Sequence, residues 1–156
     1  MEKTEEYIKA RTRAIKYIMY KFRTSKEVYD KLIELEFPEK DVVRVIDDLI
    51  QLEYINDEEY VRKFIESNKK TKKLSKNMIR LKLKNKGINE EIIEKYFRQL
   101  ELSDVDAIIK ILEKKKFLKT MDFEEKNKIK LYCVRKGFSI NDVSTAIKIY
   151  EKGEIE

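Results

Sequence analysis

The sequence predicts an all-α protein in which three tandem three-helix repeats form an elongated, curved array. The main observation is an apolar pattern that recurs about every fifty residues. It runs Val28-Leu32-Phe37-Val42-Val45-Ile46-Leu49, then Ile79-Leu83-Ile88-Ile93-Tyr96-Phe97-Leu100, then Ile129-Cys133-Phe138-Val143-Ala146-Ile147-Tyr150. Within each copy the spacing follows one face of a 3.6-residue helix. With three glycines and one proline in 156 residues, tight β-turns are scarce. A unit this small cannot bury its apolar face alone, so neighbouring copies must stack.

The elements follow in order. A polar arm or helix start over 1–13 precedes repeats at 14–55, 56–101 and 103–151, and 152–156 form a tail. The first helix of each repeat carries a stripe: Ile15-Ile18-Met19-Phe22, Val61-Phe64-Ile65 and Val105-Ile108-Ile109-Leu112. The second helix is short, with core positions at Val28 and Leu32, Ile79 and Leu83, Ile129 and Cys133. Thr24 with Glu27, Asn56 with Glu59, Ser103 with Asp106 and Ser139 with Asp142 have capping-box spacing or its acidic variant. Asn89 and Ser75 are further N-cap residue types. Gly87 and Gly137 fall where the second helix needs a left-handed residue, a place taken by Glu36 in the first repeat. Ile18, Leu32, Ile46, Phe64, Leu83, Phe97, Ile109, Cys133 and Ile147 are the expected core.

Charged residues make up 42% of the chain and hydrophobic residues another 42%, so there is apolar material enough for a core. The lone Cys133 precludes an internal disulfide and fits a reducing cytoplasm. It aligns with Leu32 and Leu83, so it reads as a small core residue. No apolar run approaches the ~18 residues of a membrane span, and the opening Met-Glu-Lys-Thr-Glu-Glu is unlike a signal peptide. The absence of histidine removes Ser-His and Cys-His pairs and the histidine zinc sites. No P-loop or metal constellation is present, so the expectation is a binding protein without catalytic residues, metal, cofactor or small-molecule substrate.

Net charge is +6, strongly segregated along the chain. From Lys9 to Lys26 there are seven basic residues and no acid, and from Glu27 to Glu59 twelve acids against three bases. From Arg62 to Lys86 there are eleven basic residues and only Glu66. Lys76, Arg80 and Lys84 share one face of the second helix of repeat 2, with Lys82 and Lys86 beside them. Lys69, Lys70, Lys72 and Lys73 lead into that face. Such an array can grip phosphates of single- or double-stranded DNA without reading bases. Tyr7, Tyr17, Tyr20, Tyr54 and Tyr60 could stack on bases, though Tyr54 and Tyr60 fit better as staples at a helix start. Asp57-Glu58-Glu59 and Glu90-Glu91 suit the positive dipole of helix starts. Asp47 and Asp48 lie near a helix end and are candidates for a protein contact.

Tyr54-Ile55-Asn56-Asp57-Glu58-Glu59-Tyr60, leading to Phe64, resembles the Gly-Tyr-Leu-Asp-Asp-Glu-Arg-Phe signature of RecX, the RecA-modulating family. Ser75-Lys76-Asn77-Met78-Ile79-Arg80-Leu81-Lys82-Leu83-Lys84-Asn85-Lys86-Gly87-Ile88 resembles its Gly-Pro-Arg-Arg-Ile-x-x-x-Leu-x-x-Lys-Gly-Ile block. Ala14, Arg23-Thr24-Ser25-Lys26-Glu27-Val28 and Lys31-Leu32 extend the likeness, which covers about residues 11–100. Ser75, Lys76, Glu53 and Asn56 depart from the usual glycine, proline, glycine and aspartate. The resemblance implies a three-repeat helical regulator that binds the RecA–DNA filament and usually inhibits it.

Two other readings compete. A helix-turn-helix factor would press the start of a recognition helix against bases. The last helices begin Glu39-Lys40-Asp41, Glu90-Glu91 and Asn141-Asp142, and acids there would repel the phosphate walls of the groove. A protein-only adaptor could use the same stacked surface without nucleic acid.

Overall fold

The computed structural model describes residues 2–155. Among them lie nine helices and no strand: α1 Glu5–Tyr20, α2 Ser25–Glu34, α3 Glu39–Gln51, α4 Asp57–Thr71, α5 Lys76–Asn85, α6 Glu90–Gln99, α7 Asp104–Lys114, α8 Phe123–Arg135 and α9 Ile140–Ile155. The all-α expectation and the grouping of helices in threes are met.

The helix starts are capped as the spacing implied. Thr24 closes a full capping box with Glu27. Asn56 Oδ1 accepts from the Glu59 amide at 3.0 Å, Ser75 Oγ from Met78 at 3.1 Å, Ser103 Oγ from Asp106 at 3.2 Å and Ser139 Oγ from Asp142 at 3.1 Å. Asn89 Oδ1 accepts from the Glu91 amide.

The helix ends repeat one device more often than glycine reveals. Gly87 and Gly137 have φ of 85° and 99°, and Glu36, Glu53, Lys72, Glu101 and Lys116 occupy the same left-handed region. After the left-handed residue that ends the second helix of each repeat, the next amide bonds back five positions. Phe37 N–H reaches Leu32 O, Ile88 N–H reaches Leu83 O and Phe138 N–H reaches Cys133 O, at 3.0–3.2 Å. Ile88 and Phe138 are buried as these turns close, which offsets the left-handed conformation.

The chain folds into two compact units. One comprises Met1–Lys63 with Leu83–Ile93, the other Phe64–Lys82 with Glu94–Glu156. The first has a core of Tyr7, Ala10, Ala14, Val28, Leu32, Val42, Val45, Ile46, Leu49 and Ile55. The second has a core of Ala107, Ile108, Leu112, Phe117, Ile129, Cys133, Phe138, Val143, Ala146 and Ile147. In the middle repeat Val61, Ile65, Ile79, Leu83, Ile88, Ile93 and Phe97 are buried.

The expected stripe of α1 is corrected. Met19 is 81% exposed, whereas Tyr7, Ala10 and Ala14 are buried, and Ile15 and Ile18 only lean on the core. The cause is an earlier helix start. Thr4 caps the Tyr7 amide at 3.1 Å, so much of the anticipated polar arm is helical and its small alanines face inward. Phe64 and Ile109 are likewise only partly buried. At the other end α9 runs through most of the expected tail.

Candidate nucleic-acid interface

The basic residues are arranged around two joints between successive repeats. In the first unit, Thr24 is fully buried and its hydroxyl donates to the carbonyl of Lys86 at 2.7 Å. The next residue, Ser25, gives its amide to Asp57 Oδ1 at 2.8 Å and its hydroxyl to Oδ2 at 2.5 Å. Glu27 then receives Lys86 Nζ at 3.1 Å and Arg23 at 3.6 Å. Phe22 stacks on Tyr60 with ring centroids 5.8 Å apart, and Lys63 lies over the Phe22 ring. A Cβ on Gly87 would fall 2.5 Å from Lys26 Cβ, so the close approach requires glycine there, and glycine takes up the left-handed φ at no cost.

The second unit repeats the joint with different chemistry. Ser75 is fully buried, and its hydroxyl lies 3.4 Å from the Lys136 carbonyl. The Lys76 amide donates to Asp104 Oδ1 at 2.9 Å. Burial pushes the Asp104 carboxyl above its usual range, despite that hydrogen bond and the nearby Lys76 and Arg80 charges. In the register that aligns Val28 with Ile79, Met78 stands where Glu27 stood, and Lys73 and Leu74 replace Phe22 and Arg23.

This arrangement redistributes the basic residues singled out in the sequence. On α5, Arg80 is held by Glu94, with contacts of 2.8 and 2.6 Å, and by Asn77 at 2.7 Å. Lys84 pairs with Glu90 at 3.3 Å and Lys86 with Glu27. Lys76 and Arg80 also sit over the Phe97 ring, at 5.9 and 5.3 Å. Lys69 donates to the Leu100 carbonyl at 2.6 Å, at the end of α6. Lys70 and Lys82 are exposed. The α5 face is thus largely neutralised by its own neighbours.

Lys72 and Lys73 go elsewhere. With Lys110, Lys114, Lys115 and Lys136 they line a pocket of about 510 Å³ whose remaining lining is Leu74, Ile111 and Tyr132. Lys110 donates to the Thr71 carbonyl at 2.9 Å. Lys115 and Lys136 lie over the Tyr132 ring at 4.0 and 5.5 Å. Among the described residues no acid lines the pocket. Lys110, Lys114, Lys115, Tyr132 and Lys136 had not been singled out. The available signal was the run Lys114-Lys115-Lys116, with Lys136 just before a glycine whose place in the repeat was already clear.

The acidic candidates divide as well. Asp47 is exposed, while Asp48 accepts a hydrogen bond from the Tyr7 hydroxyl. Tyr7 is buried and so unavailable for base stacking. Burial first, then the Asp48 hydrogen bond, raise the Tyr7 phenol above its ordinary value. Burial also pushes the Cys133 thiol up, as befits a core position. Among the described residues no group of histidine, cysteine or carboxylate side chains could hold a metal.

Residues 10–49, 56–96 and 103–147 match, in order, the first, second and third three-helix domains of RecX. The regulatory protein RecX of Clostridium tetani is 32% identical, and the match covers 96% of this chain and 71% of that protein. The chain belongs to the RecX family. The RecX of Bacillus subtilis is 29% identical, and there the match takes in 55% of the relative, so the chain spans about half the length of such members. A crystal structure of RecX from Lactobacillus salivarius superposes with a TM-score of 0.80 at 30% identity, covering 94% of this chain and 97% of that one. The three RecX domains coincide with α1–α3, α4–α6 and α7–α9, and the two joints lie between successive domains.

Proposed function

We propose that this chain binds along the RecA–DNA filament and modulates it, restraining RecA's ATP hydrolysis, recombinase and coprotease activities. The carrying observation is the ordered match of all three RecX domains, from residue 10 to residue 147. Several three-helix units in one chain offer several weak contacts to a repeating filament, which add through effective concentration. A binder that favours one filament state shifts the equilibrium toward it and needs no catalytic group. The reading implies a cytoplasmic protein, and among the described residues no helix is long and apolar enough to cross a membrane.

Lys70, Lys72, Lys73, Lys76 and Lys82 are proposed contacts to phosphates or acidic filament surface. Exposed Asp47 is proposed as a protein contact, with Asp48 beside it. Lys69, Arg80, Lys84 and Lys86 would have to exchange intramolecular partners for filament contacts. The test is RecA ATP hydrolysis on single-stranded DNA as this protein is titrated in, with co-sedimentation on preformed filaments. Suppression with co-sedimentation is expected. An unchanged rate without co-sedimentation would overturn the proposal and leave a RecA-independent DNA binder or an adaptor.

A further inference from the structure

We propose that the lysine pocket of the second unit is a binding site for single-stranded nucleic acid, taking phosphates on its ammonium groups and a base on Tyr132. The proposal rests on the filament reading for its setting, but the binding itself requires only this chain.

The first argument is charge balance. Lys72, Lys73, Lys114, Lys115 and Lys136 line one pocket, and the ion pairs among the described residues involve none of them. On α5 the opposite holds, and Arg80 and Lys84 each meet a carboxylate. Converging like charges repel, and a compact unit gains nothing by gathering them. An external polyanion supplies the missing charge. Helix-end dipoles explain only part of the cluster. Lysines favour the carbonyl ends of α4, α7 and α8, yet at α4 Lys110 already serves that role through Thr71.

The second argument is the floor. Phosphate alone is satisfied by cations and has no use for apolar lining, whereas Leu74, Ile111 and the partly buried Tyr132 offer a surface to a base. The Lys115 and Lys136 ammonium groups lie over the Tyr132 ring on flexible stems that a base can displace. Cationic walls around an aromatic face are the general means of holding single strands without reading sequence. A duplex keeps its bases paired and stacked, so it brings no free base face to this pocket. A single strand can fold into it.

The third argument is the sister joint. There Phe22 and Tyr60 stack together, and Glu27 consumes Lys86. At the second joint Lys73 and Met78 stand at the positions of Phe22 and Glu27, and Lys136 lines the pocket instead. The same scaffold is closed by its own side chains in one copy and left to an outside ligand in the other.

The experiment is fluorescence anisotropy of a labelled oligo-dT of about 15 nucleotides, a length suited to such sites, with the full chain, no RecA and varied salt. Lys115→Gln and Lys136→Gln should each weaken binding and lower the log–log salt slope by about 0.7. Tyr132→Leu should weaken binding roughly tenfold with the slope unchanged, and Tyr132→Phe should restore it. Lys9→Gln, on α1 and paired with Glu5 away from the pocket, should do little. Equal affinity for a duplex of the same length, or a harmless Tyr132→Leu, would overturn the proposal. So would displacement by tripolyphosphate that is insensitive to Tyr132, because it would mark a site for phosphate alone. If oligo-dT fails to bind while RecA hydrolysis is still suppressed, the pocket proposal falls and the filament reading stands. If oligo-dT binds in this pattern and RecA is unaffected, the reverse holds.

Discussion

The joint around Thr24 and the joint around Ser75 share one backbone design and differ in almost every side chain that finishes it. Both bury an N-cap hydroxyl that reaches the carbonyl before a left-handed glycine. Both give the following amide to an aspartate in the first turn of the next repeat's first helix. The first joint then adds an aromatic stack and the Arg23–Glu27–Lys86 charge group. The second adds neither and surrounds a pocket with lysines. A repeat can therefore keep its geometry through a few backbone-directed bonds while its copies diverge, one toward cohesion and the other toward binding.

Breaking the shared geometry should have the largest effect. Gly87→Ala and Gly137→Ala both force a left-handed alanine, costing about 1–2 kcal/mol, plus a steric penalty of about 1–3 kcal/mol. At Gly87 the new methyl meets Lys26 Cβ at 2.5 Å, an atom fixed to the α2 backbone. At Gly137 it meets Ser75 Oγ at 2.6 Å and Met78 Cγ at 3.0 Å, both of which can rotate. Gly87→Ala should thus be the worse of the two in denaturant titrations. The reverse order would mean that the second joint is the stiffer one.

Removing the buried hydroxyl comes next. Thr24→Ala loses a cap worth about 1 kcal/mol and strands the Lys86 carbonyl, adding about 1–3 kcal/mol. Ser75→Ala should cost only about 1 kcal/mol, because its bond to Lys136 is already long at 3.4 Å. Equal losses would show that the short bond at the first joint adds nothing.

The joints mark the limit of what was legible in the sequence. Caps, stripes and both glycines are local signals with fixed spacing, and they located the helices and most of the core. The buried face of α1 escaped because Tyr7, Ala10 and Ala14 are not the strongest hydrophobes in their window, and the more apolar Met19 drew the stripe outward. The site escaped for another reason. A cation's availability depends on whether an acid from another helix reaches it, and nothing near Arg80 or Lys84 in the sequence indicates that Glu94 and Glu90 do so. Nor does a charge count of repeat 2 reveal that Lys72 and Lys73 meet lysines of repeat 3.

Grafting the first joint's acid into the second sharpens the contrast. Met78→Glu places a carboxylate at the position of Glu27, within reach of the residue equivalent to Lys86. If Lys136 is thereby consumed as Lys86 is, the salt slope for oligo-dT should fall by about 0.7 and affinity should drop several-fold. Stability should hardly move, since a partly exposed pair is worth about 0–1 kcal/mol. An unchanged slope would show that the missing acid does not govern the pocket's charge.

The smallest effect distinguishes the joints by sign. Burial pulls the Glu27 carboxyl upward, but the Thr24 amide and Lys86 prevail and hold it below the usual range. Its contribution is present above the unfolded pKa and is lost as pH falls through the folded one. Asp104 is the opposite case, raised by burial against the Lys76 amide. Its contribution is present below the unfolded pKa and is lost as pH rises through the folded one. Acidification should therefore strengthen the second joint and weaken the first. Residue-resolved amide exchange at Glu27 and Met78, corrected for intrinsic rates, would report the two separately, because each amide donates to its joint's buried hydroxyl. Glu27→Gln should flatten the first profile. Asp104→Asn should flatten the second while keeping an oxygen for the Lys76 amide. Parallel weakening of both joints on acidification would mean that burial does not control Asp104, and that the two joints differ in their side chains but not in their electrostatics.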